Sequence, residues 1–182
     1  MRSCGLAASN KGRSMNMMKL AAGAAAAAMI SVSGANAASE IFLSVPGIQG
    51  GAQTSGFEGQ IEVFSSSLGF LNDKKCTAQQ LQFVKPVDMA SADILVALAL
   101  GTQYPTMKLT FTRPSGQGGS LSPVMQFTFQ NASFSSFNTG GSSGSGGPVE
   151  QATVKYGAVT GIVYNVGQNG VVTPEPFAVN CF

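Results

Sequence analysis

Few residues of this chain could carry out nucleophilic, acid or base chemistry. The 182-residue sequence contains no histidine, so it lacks the commonest general base and the commonest metal ligand. The run GGSSG at residues 140–144 matches the G-x-S-x-G pattern of a nucleophilic serine. It lies, however, in a glycine- and serine-rich stretch, and the chain has no imidazole to activate it. We interpret the match as a coincidence.

The carboxylates offer no stronger candidate. Glu58 and Glu62 are a close pair that one strand would place on the same face, but no neighbouring residue type would separate their pKa values for acid and base roles. Asp88 and Asp93 flank a predicted helix start, where capping explains them. The cysteines lack the spacing of metal ligands. The sequence therefore predicts no catalytic residues, no metal site and no cofactor.

The first 37 residues have the layout of a secretory signal peptide. Four basic residues and no acidic residue precede the apolar run LAAGAAAAAMI at 20–30, and Ala35, Asn36 and Ala37 form an A-x-A cleavage site. An uncleaved membrane anchor is the alternative, but the run is mostly alanine and falls short of the roughly 20 strongly apolar residues that a spanning helix needs. We expect a leader at 1–37, a folded domain at 38–182, and export to the periplasm or the extracellular space.

Removal of the leader reverses the sign of the net charge. The full chain has 10 Lys and Arg against 8 Asp and Glu, and four basic residues lie in the leader, so the domain keeps 6 (10 minus 4) against 8, a net charge of −2. The remaining basic residues are scattered, and nucleic-acid binding requires a positive patch. We predict no nucleic-acid partner and no membrane span in the domain.

Two cysteines remain after cleavage, because Cys4 lies in the leader. An even pair in an exported chain predicts a disulfide between Cys76 and Cys181. This bond would join the C-terminal tail to the segment LNDKKC at 71–76, which we expect to be a loop. The alternative is two unrelated thiols.

Alternation of apolar and polar residues predicts β-strands along most of the domain. In the segment 105–113, Met107, Leu109 and Phe111 alternate with polar residues that we expect to face solvent. Other strands are predicted at 40–45, 59–66, 80–84, 123–131, within 149–166 and at 176–182. A bulge is expected at 132–137, a bend or close approach at Gly157 and Gly161, and a flexible excursion at 139–148. The pattern predicts an all-β barrel or sandwich of eight or nine strands.

The segment DMASADILVALALG at 88–101 is the part of the domain with a helical pattern. Ser91 is a suitable N-cap, Asp93 lies in the first turn, and Gly101 can adopt the left-handed C-cap conformation. Nearly every side of this helix is apolar, so it cannot lie bare on a surface. It either closes one end of a barrel or also presents a face to a neighbouring subunit.

Five segments between residues 41 and 164 resemble, in sequence and spacing, the haemolysin-coregulated protein (Hcp) family, the tube protein of the type VI secretion system. They are IFLSVPGIQGG, GQIEVFSSSLGF, LQFVKPVDMASADILVALALGTQYPTMKLTFTR, FSSFNTGGSSGSGG and VEQATVKYGAVTGIVY. The third segment is the most specific, because it joins a strand, a turn, a capped helix, a Tyr-Pro turn and a further strand. The resemblance implies an all-β fold with one short helix, an Hcp-like β-barrel of two packed, mostly antiparallel sheets. It also implies a non-enzymatic structural subunit.

The resemblance further implies a homo-hexameric ring of identical subunits that stacks into a tube. By position, the loops 49–57 and 138–148 are similar to the family's ring-stacking and rim loops, and the helix at 92–100 to its inter-subunit layer. The residues that the resemblance places at the interface are Gly50, Gly51, Ser91, Ile94, Leu95, Leu98, Gly140 and Gly141. Other secretion-system or cell-surface proteins are further expected partners.

A leader and a cysteine pair are not needed by a tube protein that assembles in the cytoplasm. The sequence therefore leaves two hypotheses open. The first is an Hcp-like subunit that forms rings, tubes or filaments. The second is a monomeric secreted or periplasmic binding or adhesion module on the same barrel.

Overall fold

The computed structural model describes residues 38–73, 75–115, 120–141, 147–166, 172–179 and 181. All of these residues belong to one compact unit. The predicted leader and residues 142–146 of the predicted glycine-rich excursion lie outside the described residues. No helix within the described residues is long and apolar enough to cross a membrane.

Strands account for most of the described chain, and one helix interrupts them. The elements are β1 Ile41–Ser44, β2 Ile61–Val63, β3 Ser65–Ser67, β4 Phe70–Asp73, β5 Lys75–Ala78, β6 Leu81–Pro86, α1 Ala90–Leu100, β7 Tyr104–Pro114, β8 Leu121–Gly140, β9 Val149–Lys155, β10 Ala158–Val166 and β11 Val172–Val179. Each strand pair found among the described residues is antiparallel. The predicted all-β class with one short helix is confirmed.

The main sheet follows the order β2-β1-β7-β8-β9-β6-β3, and β10 and β11 extend it from β8. Its two end strands, β2 and β3, are separated along the chain by Phe64 alone, and the Phe64 N–H donates to the Val84 carbonyl of β6 at 2.8 Å. The two ends of the path are therefore adjacent, and the sheet curls around a common core. This curl agrees with the barrel that the sequence predicts.

The 20-residue strand β8 connects the two halves of the fold. Its first part pairs with β7 and β10, and its second part pairs with β9. The β8–β9 register shifts between Phe134 and Ser136, which confirms the bulge predicted for 132–137. Because a bulge bends a strand and increases its twist, β8 can pair with strands in both halves of the curled sheet.

The core lies between the inward faces of these strands, and the buried side of α1 packs against it. Its fully buried members include Leu43, Ile61, Leu81, Phe83, Ile94, Met107, Leu109, Phe129 and Val154. In β7 the apolar residues point inward, as predicted. The sequence predicts that the opposite face is exposed to solvent, and this expectation is wrong at Thr110 and Thr112, which are buried. Thr110 accepts a hydrogen bond from Gln126 at 3.0 Å, and Thr112 donates to the Glu40 carbonyl at 2.8 Å. Neighbouring segments therefore cover that face.

Residues 70–78 differ from the prediction. The segment LNDKKC, expected to be a loop, contains the last three residues of β4 and the first two of β5. These two strands pair with each other as a separate two-stranded sheet. We call β4 and β5 together the arm. Alternation could not reveal it, because all four residues of β4 are exposed and an arm outside the core has no apolar face to alternate.

Gly161 marks a close approach, as predicted. It lies opposite Phe177 in the β10–β11 pair, and a Cβ atom at this position would overlap the Phe177 ring. That ring also packs edge-on against Phe127, with centroids 5.9 Å apart. We expect Gly161→Ala to displace the ring and to lower the free energy of unfolding by about 1–3 kcal/mol, as overpacking does.

Urea unfolding of Gly161→Ala should be compared with Gly140→Ala, because a Cβ at Gly140 meets no atom within 4 Å. Gly140→Ala is expected to unfold at the same urea concentration as the parent chain. Equal midpoints for the two variants would contradict the steric argument.

Candidate subunit interface

The helix α1 buries one side in the core and leaves another side exposed. Ala90, Ile94 and Ala97 are buried. The exposed apolar side chains, with their exposed fractions, are Met89 (62%), Leu95 (47%), Val96 (57%) and Leu100 (76%). We call these four residues the helix face. Such a cluster of exposed apolar residues is typical of a protein contact surface.

The C-terminal end of α1 is as the sequence predicts, whereas its N-terminal cap differs. Gly101 adopts the left-handed conformation (φ 63°, ψ 33°), and its N–H donates to the Leu98 carbonyl at 3.1 Å. The prediction of Ser91 as N-cap is wrong, because the helix begins at Ala90 and its N-cap is Met89. The Ala90 N–H is satisfied instead by the Asp88 carboxylate at 3.0 Å.

The Ser91 hydroxyl belongs to a buried charge network centred on Lys85. The Lys85 ammonium contacts Glu150 Oε2 (2.6 Å), Asp88 Oδ1 (2.7 Å), the Pro86 carbonyl (2.8 Å) and Ser91 Oγ (3.0 Å). Ser91 Oγ in turn donates to Glu150 Oε2 at 2.7 Å. Lys85 has no exposed surface and Glu150 has 3%. Because burial of an unpaired charge is costly, these contacts hold β6, β9 and the start of α1 in one arrangement.

The two predicted interface loops lie beside this network. The Gly51 N–H donates to Asp88 Oδ2 at 2.9 Å, so the loop after β1 is bound to the start of α1. Gly140 pairs with Val149, the residue before Glu150, and Gly141 packs near Pro148. Gly51, Gly140 and Gly141 are exposed. The structure thus brings the two loops and the helix start, which are distant in sequence, to one region of the surface.

The predicted interface set needs correction at two positions. Ile94 is fully buried in the core, and Gly50 is buried, with the position of its missing Cβ occupied by the main chain of Gln60. Neither residue leaves surface for a neighbouring subunit. Leu95 is exposed, whereas Leu98 is half-buried against the core. The sequence reasoning missed Met89, Val96 and Leu100, because a helix that is apolar all round does not indicate its free side.

Two tyrosines have a pKa above the ordinary value of a phenol. Burial raises the pKa of Tyr104, and the negative charge of Asp93 raises it further. Burial also raises the pKa of Tyr156, whose hydroxyl donates to the Gln79 carbonyl at 2.7 Å. Both phenols therefore remain protonated at physiological pH. Tyr156 acts as a structural hydrogen-bond donor, and the Tyr104 ring packs edge-on against Phe134 with centroids 6.1 Å apart.

The carboxylate pair that the sequence singled out is not paired in the structure. Glu58 lies in a turn and accepts a hydrogen bond from the Gly56 N–H at 2.8 Å, whereas Glu62 lies in β2, so the two do not share a strand face. No group of three or more Cys, Asp or Glu side chains within the described residues could hold a metal ion. The GGSSG run extends into 142–146 and lies partly outside the described residues.

Known proteins share this architecture. The curated protein Hcp1 of Pseudomonas aeruginosa is 29% identical over 85 residues, which are 47% of this chain and 51% of that protein. The match thus spans about half the length of that relative. The solved structure of Hcp1 from Salmonella typhimurium has a TM-score of 0.65 at 21% identity and covers 78% of this chain and 95% of its own.

A type VI secretion system effector from Yersinia pestis has the same fold, with a TM-score of 0.65 at 16% identity, covering 76% of this chain and 99% of its own. The family model described as "Type VI secretion system effector, Hcp" matches residues 42–161. This range contains the helix face, the Lys85 network and most of the barrel strands. The chain therefore belongs to the Hcp family of the type VI secretion system.

Proposed function

We propose that this protein is a non-enzymatic structural subunit that assembles into homo-hexameric rings, which can stack into tubes or filaments. Membership of the Hcp family supports this role. The observation that carries it is the helix face, four apolar side chains that the fold leaves uncovered although Ala90, Ile94 and Ala97 on the opposite side of the helix are packed in the core. Burial of this face against a second copy would remove the apolar surface from water and stabilise a ring.

The network around Lys85 suits this role because it makes the surface rigid before assembly. It attaches the loop containing Gly51 and the start of β9 to the helix. A surface that is already ordered loses less conformational entropy on binding. Identical subunits would therefore meet with the same geometry at every contact of the ring.

We also propose that the chain is exported through its leader before it assembles. A bond between Cys76 and Cys181 in the structure supports this proposal, because disulfides form and persist in oxidising compartments. Export would allow partners at the cell surface or in the secretion apparatus. Detection of the unprocessed chain in the cytosol alone would contradict export without affecting the ring proposal.

The helix face provides the direct test of assembly. We expect the full chain to form rings in negative-stain electron microscopy, and Val96→Glu to weaken assembly by roughly 10- to 100-fold, the equivalent of losing one buried apolar side chain. Sedimentation velocity over a range of concentrations would measure the shift from ring to monomer.

Val172→Glu is the matched control, because Val172 is 47% exposed and lies on β11, outside the helix face. It introduces the same charge and is expected to leave ring formation intact. Unchanged assembly of Val96→Glu would contradict the role of the helix face. A parent chain that stays monomeric at high concentration would overturn the ring proposal and favour the monomeric binding or adhesion module.

A further inference from the structure

The arm is poorly attached to the rest of the fold. Within the described residues, β4 and β5 pair only with each other, and β4 is exposed along its whole length. At the base of the arm, the Gln79 N–H donates to the Gly69 carbonyl at 2.8 Å and closes the hairpin. This bond joins the two sides of the arm to each other but does not orient it against the barrel.

Beyond its base, the arm is joined to the C-terminal segment at Cys181. The disulfide links Cys76 of β5 to Cys181, and the Ala78 N–H donates to the Cys181 carbonyl at 3.4 Å. Cys181 itself is buried, with 5% of its surface exposed. Both connections therefore depend on a single residue that follows the last strand of the sheet.

The bridge also determines which side of the arm faces outward. Residues directly opposite one another in the hairpin project to the same side, and successive residues alternate. Asn72 lies opposite Cys76, so these residues share the side that faces Cys181. Leu71 lies opposite Thr77 on the other side. With the bridge in place, Leu71, which is 55% exposed, points away from the bridged side.

We propose that the Cys76–Cys181 disulfide is a redox latch that holds the arm in one orientation. A dithiol reductant would convert the bridge to two thiols and would itself be oxidised to a disulfide. The arm would then lose its covalent connection to the C-terminal segment and become mobile about its base. The consequence for assembly rests on the proposed function: an oriented arm presents the same exposed side, including Leu71, on every copy, so we expect the bridged form to stack rings more readily than the reduced form.

The test uses the full chain with Cys4→Ser as the parent, so that Cys76 and Cys181 are the cysteines that remain. Hydrogen exchange measured by mass spectrometry would follow the peptide that contains the arm. We expect its amide exchange to be at least tenfold faster in the parent treated with dithiothreitol, and in Cys76→Ser without reductant, than in the oxidised parent. A peptide covering β6 is the internal control. It should remain protected at the short exchange times at which the arm has already exchanged in the unbridged forms, because core strands exchange only through larger unfolding events.

Two outcomes separate the latch from the ring proposal. If the arm exchanges at the same rate with and without the bridge, the latch is overturned whatever the state of assembly. If the arm loosens but neither form makes rings, the latch stands and the proposed function is overturned. Rings that stack when oxidised and remain unstacked when reduced would support both proposals.

Discussion

Cys181→Ser is expected to lower the free energy of unfolding by about 4–5 kcal/mol under oxidising conditions. The bridge joins residues 105 positions apart. In the chain-entropy model, a cross-link across a loop of about 100 residues reduces the entropy of the unfolded chain by an amount equivalent to about 4.7 kcal/mol. Equilibrium unfolding in urea, monitored by circular dichroism in the Cys4→Ser background, would measure the difference.

Reductant provides the control for this prediction. With dithiothreitol, the free energy of unfolding of the parent chain should fall by the same amount. The parent and Cys181→Ser should then have the same urea midpoint, since neither contains the bridge. The variant itself should be unaffected by the reductant. If Cys181→Ser were equally destabilising with and without dithiothreitol, the loss would come from packing of the buried side chain, and the disulfide would be absent in solution.

Lys85→Met is expected to lower the free energy of unfolding by about 3–5 kcal/mol, because it leaves the Glu150 and Asp88 carboxylates without their cation in a buried site. Methionine retains most of the volume of the lysine stem, so a cavity contributes little to the loss. The destabilisation should appear as a lower midpoint in urea. We also expect Lys85→Met to weaken ring assembly, because the network orders the start of α1.

Lys108→Met is the matched control, since Lys108 is exposed on β7. Surface substitutions of this kind change the free energy of unfolding by about 0.5 kcal/mol or less. The double variant Lys85→Met with Glu150→Gln should recover part of the loss, because a neutral amide replaces the unpaired carboxylate. A loss below about 1 kcal/mol for Lys85→Met would show that the ion pair is not buried in solution.

The two variants affect different parts of the molecule. The disulfide holds the arm and the C-terminal segment, whereas Lys85 holds the helix, the loop containing Gly51 and the start of β9. Lys85→Met should therefore reduce contacts made by the helix face, and Cys181→Ser should reduce those made by the arm. Measuring ring formation and ring stacking separately would distinguish the two effects.

Local patterns in the sequence predicted much of the fold. Strands such as β7 show the two-residue period of a buried face, because successive side chains point to opposite sides of a strand. Gly101 indicated the end of the helix, since glycine adopts the left-handed conformation without steric cost. The spacing of Phe134 and Phe137 indicated the bulge in β8. Each of these signals lies within a few residues of the feature that it predicts.

The strand alternation also indicated the buried network, but it was missed because lysine and glutamate are usually exposed. Lys85 has the same parity in β6 as the buried Leu81 and Phe83, and Glu150 has the same parity in β9 as the buried Ala152 and Val154. The alternation thus placed both charges on the inward face. Charged residues are rarely buried unless they are paired, and the sequence alone does not show that residues 65 positions apart are partners.

The sequence by itself determined the all-β class, the single helix, the resemblance to Hcp and the absence of histidine chemistry, because composition, periodicity and order of motifs are local properties of the chain. The tertiary structure decided which side of the helix is free, which partner neutralises Lys85, and how the arm is held. These three features depend on contacts between segments far apart in the sequence. Burial of a side chain is set by what packs against it, and only the folded chain determines that.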